Sequence, residues 1–495
     1  MKKQKSITIN FIMNVVLSMS AFIFPLITFP YVSRVLMPTG TGLVSFANSI
    51  IAYFALFAQL GIPTYGIRAC AKVRDDKEKL SKVVQELLII NSIISVLVYI
   101  VFFASLMIVP KMRNNKTLFI VMSATILFNV IGIEWMYKAL EQYTYIAIRS
   151  IIFKFIALIL MFLLVRSKND YVWYGVITIF AASASNILNF FNAHKYISLK
   201  PIGNYNFKQH LKAITIFFAM SCATTIYTNL DSAMIGFIKG VTENGYYSAA
   251  VKIKIVLVSV VTSLGTVLLP RASYYIENGL NDEFKRISNK AINFVFVIAV
   301  PMMIYFIIFA PESIFFLAGD AYSKSILPMQ IIMPTLLFIG LTNIMGLQML
   351  VPMGKEKYVM SSEIVGAVVD LILNASLIPI FGASGAAIGT VVAEFAVWIV
   401  QFLCLRDYIK QIYSNINYGY ICCAVFVSMI PAFFIKRLGW NCFLTLVVSA
   451  ILFFGIYVII LTILKETLVL GIEDKLLRIL KLKSNKESKN ERKKN

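Results

Sequence analysis

Apolar stretches of about 20 residues alternate with short polar segments along almost the whole chain. Each such stretch predicts a transmembrane helix, because about 20 helical residues cross the hydrocarbon core of a bilayer. The shorter alternating segments typical of a membrane β-barrel are not found. The pattern predicts an all-α integral membrane protein of about fourteen transmembrane helices. These spans lie near 8–31, 41–62, 84–109, 117–137, 146–165, 171–193, 212–236, 246–269, 291–310, 326–350, 358–379, 383–405, 418–435 and 441–464.

Composition agrees with that pattern. Of the 495 residues, 59% are hydrophobic and 14% are charged, whereas a soluble domain has about 25% charged residues. The net charge of +22 does not indicate nucleic-acid binding, because the basic residues follow the loops between the spans. They are concentrated in alternate loops and at both ends. The positive-inside rule therefore predicts a multi-pass protein of the cytoplasmic membrane with both termini in the cytoplasm. The first span is expected to remain uncleaved, since no signal-peptidase pattern follows it.

The sequence has few residues suited to enzyme chemistry. The six cysteines include no C-x-x-C pair, and the two histidines, His194 and His210, both fall in a predicted basic loop. Neither a metal site nor a histidine-based catalytic triad is expected. No G-x-x-x-x-G-K-[ST] phosphate loop occurs, so nucleotide hydrolysis is not expected either. We predict a non-enzymatic protein without a cofactor.

An internal repeat suggests how the spans are organised. GLVSFAN at 42–48 resembles GYYSAAV at 245–251, and each stands at the start of an even-numbered span. A shift of about 200 residues maps spans 1–6 onto spans 7–12, as in transporters built from duplicated halves. The predicted domains are two six-helix bundles around a central cavity, two extra transmembrane helices and a basic cytoplasmic tail: 1–210, 211–410, 411–464 and 465–495. In the tail, 473–482 is either a short amphipathic helix on anionic lipid or a solvated end.

Polar side chains recur inside the spans, where they are costly and tend to face a cavity or a neighbouring helix. On the eighth span one helical stripe carries Ser248, Lys252, Ser259 and Ser263. The first span repeats the pattern with Asn10, Asn14 and Ser18. Spans 1, 2, 7 and 8 are the richest, which predicts that the halves meet there around a polar cavity. The alternative is hydrogen bonding between helices, which is common for Ser, Thr and Asn.

Charged residues inside the spans indicate which class of substrate the cavity would bind. Lys252 would make the cavity cationic and suited to a lipid pyrophosphate, with hydroxyls and amides beside it suited to sugars. For Lys252 and Asp231 the alternatives are an internal ion pair or, for the lysine, extension to the membrane surface. Lys154 is expected to extend in this way. Gly385 and Gly389 form a G-x-x-x-G spacing that predicts close helix packing.

Five blocks of the sequence resemble the Wzx-type polysaccharide repeat-unit flippases of the multidrug/oligosaccharidyl-lipid/polysaccharide exporter superfamily. In family order between residues 24 and 395 they are FPLITFPYVSRVLMPTGTGLVSFANSI, IEWMYKALEQYTYIAIRS, TNLDSAMIGFIKGVTENGYYSAAVKI, PMGKEKY and IPIFGASGAAIGTVVAE. The sequence departs from the family pattern at Met37, where a glycine is expected before the proline. The departure affects the turn expected at that point.

The resemblance implies flipping of an undecaprenyl-pyrophosphate-linked oligosaccharide from the cytoplasmic to the outer leaflet, for capsule, exopolysaccharide or O-antigen synthesis. It also implies a cationic cavity and coupling to an ion gradient or a membrane potential. Within the matched blocks it points to Arg34, Asp231 and Lys252, and gives Glu134 and Arg149 a structural role. The expected partners are the lipid-linked oligosaccharide, membrane lipids, a polysaccharide polymerase and a chain-length regulator, and not nucleic acid.

The candidate substrate-binding residues are Arg34, Lys252, Asn14, Ser248 and Ser259. The candidate coupling or ion-pair residues are Asp231, Asp370 and Glu394. The same three acids would serve an alternative function, a drug/cation antiporter of the same superfamily. A second alternative is an integral membrane polysaccharide polymerase or ligase. Such an enzyme needs a large extracytoplasmic loop, and all the predicted outside loops are short.

Overall fold

A computed structural model describes residues 7–198, 200–414 and 416–470, and within them every regular element is helical. The predicted amphipathic segment 473–482 lies outside the described residues, as do the side chains of Asn10 and Ser18. The twenty α-helices are α1 (Ile7–Gln59), α2 (Ile62–Lys72), α3 (Lys77–Ile108), α4 (Pro110–Arg113), α5 (Lys116–Ile131), α6 (Glu134–Ala139), α7 (Tyr143–Leu164), α8 (Tyr171–Ile179), α9 (Asn186–Asn192), α10 (Lys208–Ile238), α11 (Val241–Glu277), α12 (Asn281–Ile308), α13 (Ala310–Ala318), α14 (Ile326–Ile332), α15 (Thr335–Thr342), α16 (Glu356–Phe381), α17 (Ala383–Cys404), α18 (Arg406–Ser414), α19 (Tyr418–Arg437) and α20 (Cys442–Ile463). Two π-helical segments, Phe180–Ala184 and Asn343–Leu350, and two short 3₁₀ segments, Ala193–Lys195 and Asp320–Ser325, continue these helices.

The helices confirm a multi-spanning all-α membrane protein, although their number differs from fourteen. In the described part of the chain, eleven helices are long and apolar enough to cross a bilayer, and two bent pairs bring the number to thirteen. The pairs are Lys208–Cys222 with Thr224–Ile238, bent by 41°, and Asp320–Ile332 with Thr335–Leu350, bent by 46°. They correspond to the two predicted spans richest in Ser and Thr or in Pro, residue types that weaken a straight helix.

The remaining difference lies in α1, which contains both of the first two predicted spans. Its 53 residues would extend over about 80 Å at the usual helical rise, far more than a hydrocarbon core of about 30 Å. The helix is interrupted at Met37, whose φ of 61° and ψ of 175° are not helical. The parts of α1 on either side of Met37 are each long enough to form a span. The turn at this position is therefore retained with Met in a backbone conformation that glycine adopts at lower cost.

Local sequence accounts for how individual helices begin and end. Asp76 caps α3 by accepting hydrogen bonds from the backbone N–H groups of Glu78 and Lys79, each at 3.1 Å. These bonds, first of all that from Lys79, hold the pKa of the Asp76 carboxyl below its usual value. At the other end of a helix, Lys111 Nζ donates to the carbonyls of Gly236 and Phe237, at 3.0 and 2.5 Å. A cation at this point satisfies terminal carbonyls and complements the helix dipole of α10.

Packing divides the chain into two compact units. The first comprises Met1–Lys252, Leu317–Pro328 and Gly366–Gly389, and the second comprises Ile253–Phe316, Met329–Val365 and Thr390–Asn495. The division does not fall at the predicted bundle boundary near residue 210, because α10 packs with the first unit. Phe46 of α1 makes edge contacts with the rings of Phe119 and Phe237, at 6.0 and 5.0 Å between centroids. The proposed duplication of six-helix halves stays a prediction about sequence ancestry.

In the first unit α17 begins very close to α16, as the G-x-x-x-G spacing predicts. A Cβ atom on Gly385 would lie 2.4 Å from the Leu377 carbonyl oxygen, and one on Gly389 would lie 2.4 Å from Asn374 Oδ1. In the second unit the last two helices, α19 and α20, pack on each other. Tyr305 of α12 donates to the Leu446 carbonyl at 2.8 Å, and Tyr457 of α20 donates to the Val297 carbonyl at 2.9 Å.

Candidate functional site

The two copies of the internal repeat lie against each other where α1 crosses the start of α11. Thr39 and Thr242 share a hydrogen bond of 3.0 Å between their hydroxyls, and Ser248 donates to Ser45 at 2.7 Å. The two members of each pair are 203 positions apart. Equivalent residues meet in this way only across a local two-fold relation, as in an isologous interface. The short repeat in the sequence is thus also a repeat in the structure.

A pair of glycines forms the centre of this crossing. A Cβ atom on Gly42 would lie 1.9 Å from the carbonyl oxygen of Val241, and one on Gly245 would lie 2.0 Å from that of Pro38. Asn244 Nδ2 donates to the Gly42 carbonyl at 2.9 Å. The backbones touch without intervening side chains, so any larger residue at either glycine would force the helices apart.

The predicted cations Arg34 and Lys252 both contact one turn of α1. Lys252 Nζ lies 4.6 Å from the centroid of the Phe29 ring, which is the geometry of a cation–π interaction. Arg34 is exposed, and its Nη1 donates to the Pro30 carbonyl at 2.5 Å. The two cations therefore contact adjacent residues of α1, Pro30 and Phe29. Their role in binding a pyrophosphate stays a prediction.

A third cation lies next to the same aromatic residues and was missed in the sequence. Lys324 Nζ lies 5.9 Å from the Tyr246 ring, and Tyr322 makes edge contacts with both Tyr246 and Phe29. The Tyr322 hydroxyl shares a hydrogen bond of 2.6 Å with Thr41. Lys324 was assigned to a loop before the tenth predicted span, and nothing in the local sequence indicates that this loop returns to α1.

The acidic candidates Asp231 and Asp370 come together within the first unit. Tyr247 donates a hydrogen bond to Asp231 Oδ2, and Asn374 Nδ2 donates to Asp231 Oδ1 at 2.7 Å. Asp370 is buried one turn before Asn374 on α16, and both side chains face Gly389 of α17. Two carboxylates that lie close together can hold a proton or a small cation, because their mutual repulsion favours an added positive charge.

The other predicted site residues are more dispersed. Ser248 is occupied in the helix crossing, and Ser259 belongs to the second unit, where it donates to the Val256 carbonyl of its own helix at 2.6 Å. Glu394 is buried, also in the second unit. Asn14 has an exposed side chain on the first part of α1. Lys154 differs from its expected extension to the membrane surface, because its Nζ donates to Ser20 Oγ at 2.8 Å.

A cavity of about 410 Å³ in the first unit is lined by α1, α5 and α10, and by Gly61 and Pro63 at the start of α2. Its polar lining residues are Asn48 and Gln59 from α1, Thr125 and Asn129 from α5, and Ser221, Thr225 and Asn229 from α10. The described residues that line it carry no formal charge. Carboxamides and hydroxyls both donate and accept hydrogen bonds, as the hydroxyls of a sugar require. The size is within the range of small-molecule sites.

The cavity starts one helical turn beyond the crossing, since Asn48 follows Ser45 along α1. Spans 2 and 7 line this polar cavity, as predicted, whereas none of its described lining residues lies in span 1 or span 8. The wall formed by α5 was not predicted, because Thr125 and Asn129 are only two of several polar residues in a largely apolar span. Only their position opposite α1 and α10 indicates a role.

Glu134 and the buried Arg149 form a hydrogen-bonded structural cluster, the role that the family blocks imply. Arg149 donates to Glu134 Oε2 and Ser185 Oγ, each at 2.7 Å, and to Asn186 Oδ1 at 3.0 Å. Lys138 lies 2.9 Å from the other Glu134 oxygen. Ser185 and Asn186 follow the π-helical segment, whose wider turn alters the direction of the next side chains.

The interpretation of His210 as a loop residue is wrong. It lies in the first turn of α10, is buried, and its Nε2 is 2.7 Å from Glu86 Oε2. Its position could not be deduced from the surrounding basic residues, because its partner is 124 positions away in the sequence.

Three comparisons with known proteins bear on this site. A sequence model of the family described as "Polysaccharide biosynthesis protein" matches residues 7–276. A protein of Escherichia coli (strain K12), described as "Putative O-antigen transporter", is 23% identical over 402 residues, covering 80% of this chain and 96% of the relative.

Solved structures share the fold. "Lipid II flippase MurJ, inward closed conformation" has a TM-score of 0.64 at 16% identity, covering 92% of this chain and 100% of the other. An inward-facing "multidrug resistance MATE family transporter of the MOP superfamily" has a TM-score of 0.63 at 14% identity, covering 82% and 99%. The two scores are nearly equal, so the fold alone does not separate the substrates of the two proteins.

Proposed function

The chain belongs to the polysaccharide biosynthesis protein family, and from that premise we infer that it is a flippase for lipid-linked oligosaccharide repeat units. Its relative in Escherichia coli (strain K12), described as "Putative O-antigen transporter", matches over most of both chains. The proposed substrate is an undecaprenyl-pyrophosphate-linked oligosaccharide used for O-antigen, capsule or exopolysaccharide. The protein moves it between leaflets without making or breaking a covalent bond.

The observation that carries this proposal is the separation of two kinds of chemistry within one unit. Arg34 and Lys252 provide positive charge at one turn of α1. The uncharged polar cavity begins further along the same helix. A pyrophosphate needs cations in a low-dielectric site, and sugars need neutral donors and acceptors. A lipid-linked oligosaccharide carries both groups in one molecule.

The proposed direction of transport rests on the orientation that the charge pattern of the loops predicts. The concentration of Lys and Arg in alternate loops supports cytoplasmic termini and a location in the cytoplasmic membrane. With that orientation the crossing of α1 and α11 lies toward the outer leaflet, and the Gln59 end of the cavity lies toward the cytoplasm. We propose that substrate enters at the Gln59 end and leaves when the crossing separates. A polysaccharide polymerase and a chain-length regulator would then receive the repeat unit.

Asp231 and Asp370 are the proposed coupling residues. Binding of a proton or a small cation to this cluster would change its net charge next to Tyr247 of α11, which also carries Lys252. Glu394 is retained as a third candidate in the second unit. The same cluster supports the alternative of a drug/cation antiporter. That alternative is weaker, because the described lining of the cavity contains no acid.

Deleting the gene in its own host tests the proposal. The expected result is loss of surface polysaccharide, with lipid-linked repeat units accumulating in the cytoplasmic leaflet, where an impermeant periplasmic glycosidase cannot reach them. Complementation with the wild-type chain should restore both. Normal export together with lowered resistance to cationic dyes would instead support the antiporter. Repeat units that reach the outer leaflet but stay unpolymerised would indicate a polymerase.

A further inference from the structure

The first turn of α10 is tied to α2 and α3 by a buried cluster of ionisable side chains. Glu86 of α3 is 0% exposed and His210 of α10 is 3% exposed. Their contact of 2.7 Å joins Glu86 Oε2 to His210 Nε2. The other ring nitrogen, His210 Nδ1, lies 2.8 Å from the hydroxyl of Tyr65 on α2. Both nitrogens of the imidazole thus have an oxygen partner, an arrangement that accommodates the protonated ring.

The Glu86 carboxylate is surrounded by hydrogen-bond donors. The backbone N–H of Asn206 donates to Oε1 at 2.7 Å, and Gln209 Nε2 donates to Oε2 at 2.9 Å. These neutral donors satisfy the oxygens without cancelling the charge. A buried carboxylate is costly without a compensating positive charge. Among the groups that contact the Glu86 carboxylate in this cluster, only His210 can supply that positive charge, and only when its ring is protonated. Tyr65 is the other titratable group that contacts the imidazole. The ionisable groups that act electrostatically on Tyr65 from its own helix, α2, are Arg68 and Cys70.

The segment before α10 is held by a second, neutral set of contacts. Gln85 Nε2 donates to the carbonyls of Ser198 and Lys200, at 2.8 and 2.9 Å, and Tyr205 donates to Gln85 Oε1 at 2.8 Å. Ser81 accepts from the Ser198 N–H at 2.8 Å. Two neighbouring residues of α3 therefore hold the segment between α9 and α10. Gln85 binds residues 198–205 through neutral hydrogen bonds, whereas Glu86 binds residues 206–210 through its charged carboxylate.

The anchored helix also forms one wall of the cavity. Ser221, Thr225 and Asn229 line it, and Asp231 follows two residues later. The helix bends by 41° between Cys222 and Thr224, which places Ser221 on the half of the helix that His210 anchors. Releasing the turn that contains His210 would therefore reposition Ser221 first.

We propose that Glu86, His210 and Tyr65 form a proton-binding site whose occupancy fixes the first turn of α10 and, through it, the wall of the cavity. With the proton bound, the imidazolium donates from Nε2 to Glu86 and from Nδ1 to the Tyr65 oxygen. When the proton leaves to solvent from Nδ1, the Tyr65 hydroxyl turns to donate to that nitrogen. Glu86 then keeps its hydrogen bonds but loses its counter-charge, and the anchor weakens. The site does not depend on which substrate the cavity accepts.

Hydrogen exchange of the full-length protein in lipid nanodiscs tests this site. The quantity compared is the protection factor of residues 200–215, corrected for the intrinsic effect of pH, at about pH 6 and about pH 8. For the wild type we expect protection to fall about tenfold at the higher pH, the scale of one charge-assisted hydrogen bond. His210→Gln should show no such difference. Gln85→Ala, the matched control, should lower protection equally at both values and keep the pH dependence.

The two histidines of the chain allow a second, independent measurement. His194→Gln leaves His210 as the only histidine, so its ring resonances in NMR spectra report its protonation directly. The change of these ring resonances with pH should have the same midpoint as the change in protection. Ring resonances that do not change between the two pH values of the exchange experiment would overturn the proposal, as would unchanged wild-type protection or a pH dependence that survives in His210→Gln.

Discussion

The two copies of the repeat, 38–59 and 241–262, share residues where they contact each other and differ in charge from the next helical turn onward. At the crossing they contribute the same residues, Thr39 and Thr242, Gly42 and Gly245, and Ser45 and Ser248. Beyond it the first copy is uncharged, and its Asn48 and Gln59 line the cavity. At the positions of Ser49 and Ile51, the second copy has Lys252 and Lys254.

The difference shows which features of a duplicated membrane helix are free to change. Backbone contact at a two-fold crossing constrains both copies at once, because a larger residue on either side separates both helices. Residues past the crossing meet no equivalent partner, so each copy can acquire its own chemistry. Neutral amides then remain on one copy and positive charge appears on the other, which is the division that a sugar-pyrophosphate substrate requires.

The largest expected effect comes from fixing the crossing in place. In Thr39→Cys/Thr242→Cys the two thiols replace hydroxyls only 3.0 Å apart, close enough for a disulfide. If the crossing separates during transport, oxidation should abolish export of surface polysaccharide in a complemented deletion strain, and a reducing agent should restore it. Each single variant serves as a control and should be insensitive to oxidant. Export by the fully oxidised double variant would show that the crossing stays closed.

Breaking the crossing should cost stability. Gly245→Val places side-chain atoms where the Pro38 carbonyl lies, and we expect a loss of about 3 kcal/mol from overpacking. The measurement is thermal unfolding in detergent. Gly455→Val is the matched control, since a Cβ atom on Gly455 of α20 would have nothing within 4 Å. Equal melting temperatures for the two variants would contradict the close contact at Gly245.

Removing the charge that distinguishes the second copy should impair transport rather than folding. Lys252→Gln is expected to lower export about tenfold, the scale of one charge-assisted contact to a phosphate. The amount of protein in the membrane should stay the same. Lys254→Gln, two positions away and on nearly the opposite side of the helix, should leave export close to wild type. If both variants behave alike, Lys252 has no special role in binding.

The smallest effect is expected for the neutral chemistry of the first copy. Gln59→Ala should weaken substrate binding about fivefold, since it removes roughly one neutral hydrogen bond of about 1 kcal/mol. The measurement is the expression level of the protein that gives half-maximal export, compared between Gln59→Ala and the wild type. Gln59→Glu tests whether the cavity must be uncharged, and it should lower export more than Gln59→Ala if a pyrophosphate lies close by. A glutamate variant that equals wild type would argue against an anionic substrate in this cavity.

Several features could be predicted from local sequence. Gly385 and Gly389 predicted a close helix contact, and the span 212–236 was correctly found although it is bent. Asp231, Arg34 and Lys252 were predicted from polar positions and family blocks, and their roles stay predictions, although the structure places Asp231 in a hydrogen-bonded cluster. Lys324, Thr125, Asn129 and the His210 pair were not found. Each of these depends on a partner distant in sequence, so no local pattern distinguishes it from a loop or packing residue.

The sequence by itself determined that this protein is a bundle of membrane helices. The reason is that a bilayer imposes the length and polarity of each span independently of its neighbours. It also predicted that two segments about 200 residues apart are related. Only the tertiary structure decided that these segments touch at equivalent residues and that Asp231 joins Asp370. It likewise decided that a neutral cavity lies beside the crossing. Contacts between spans depend on helix rotation and crossing angle, which hydrophobicity constrains weakly when lipid and protein interior are equally apolar.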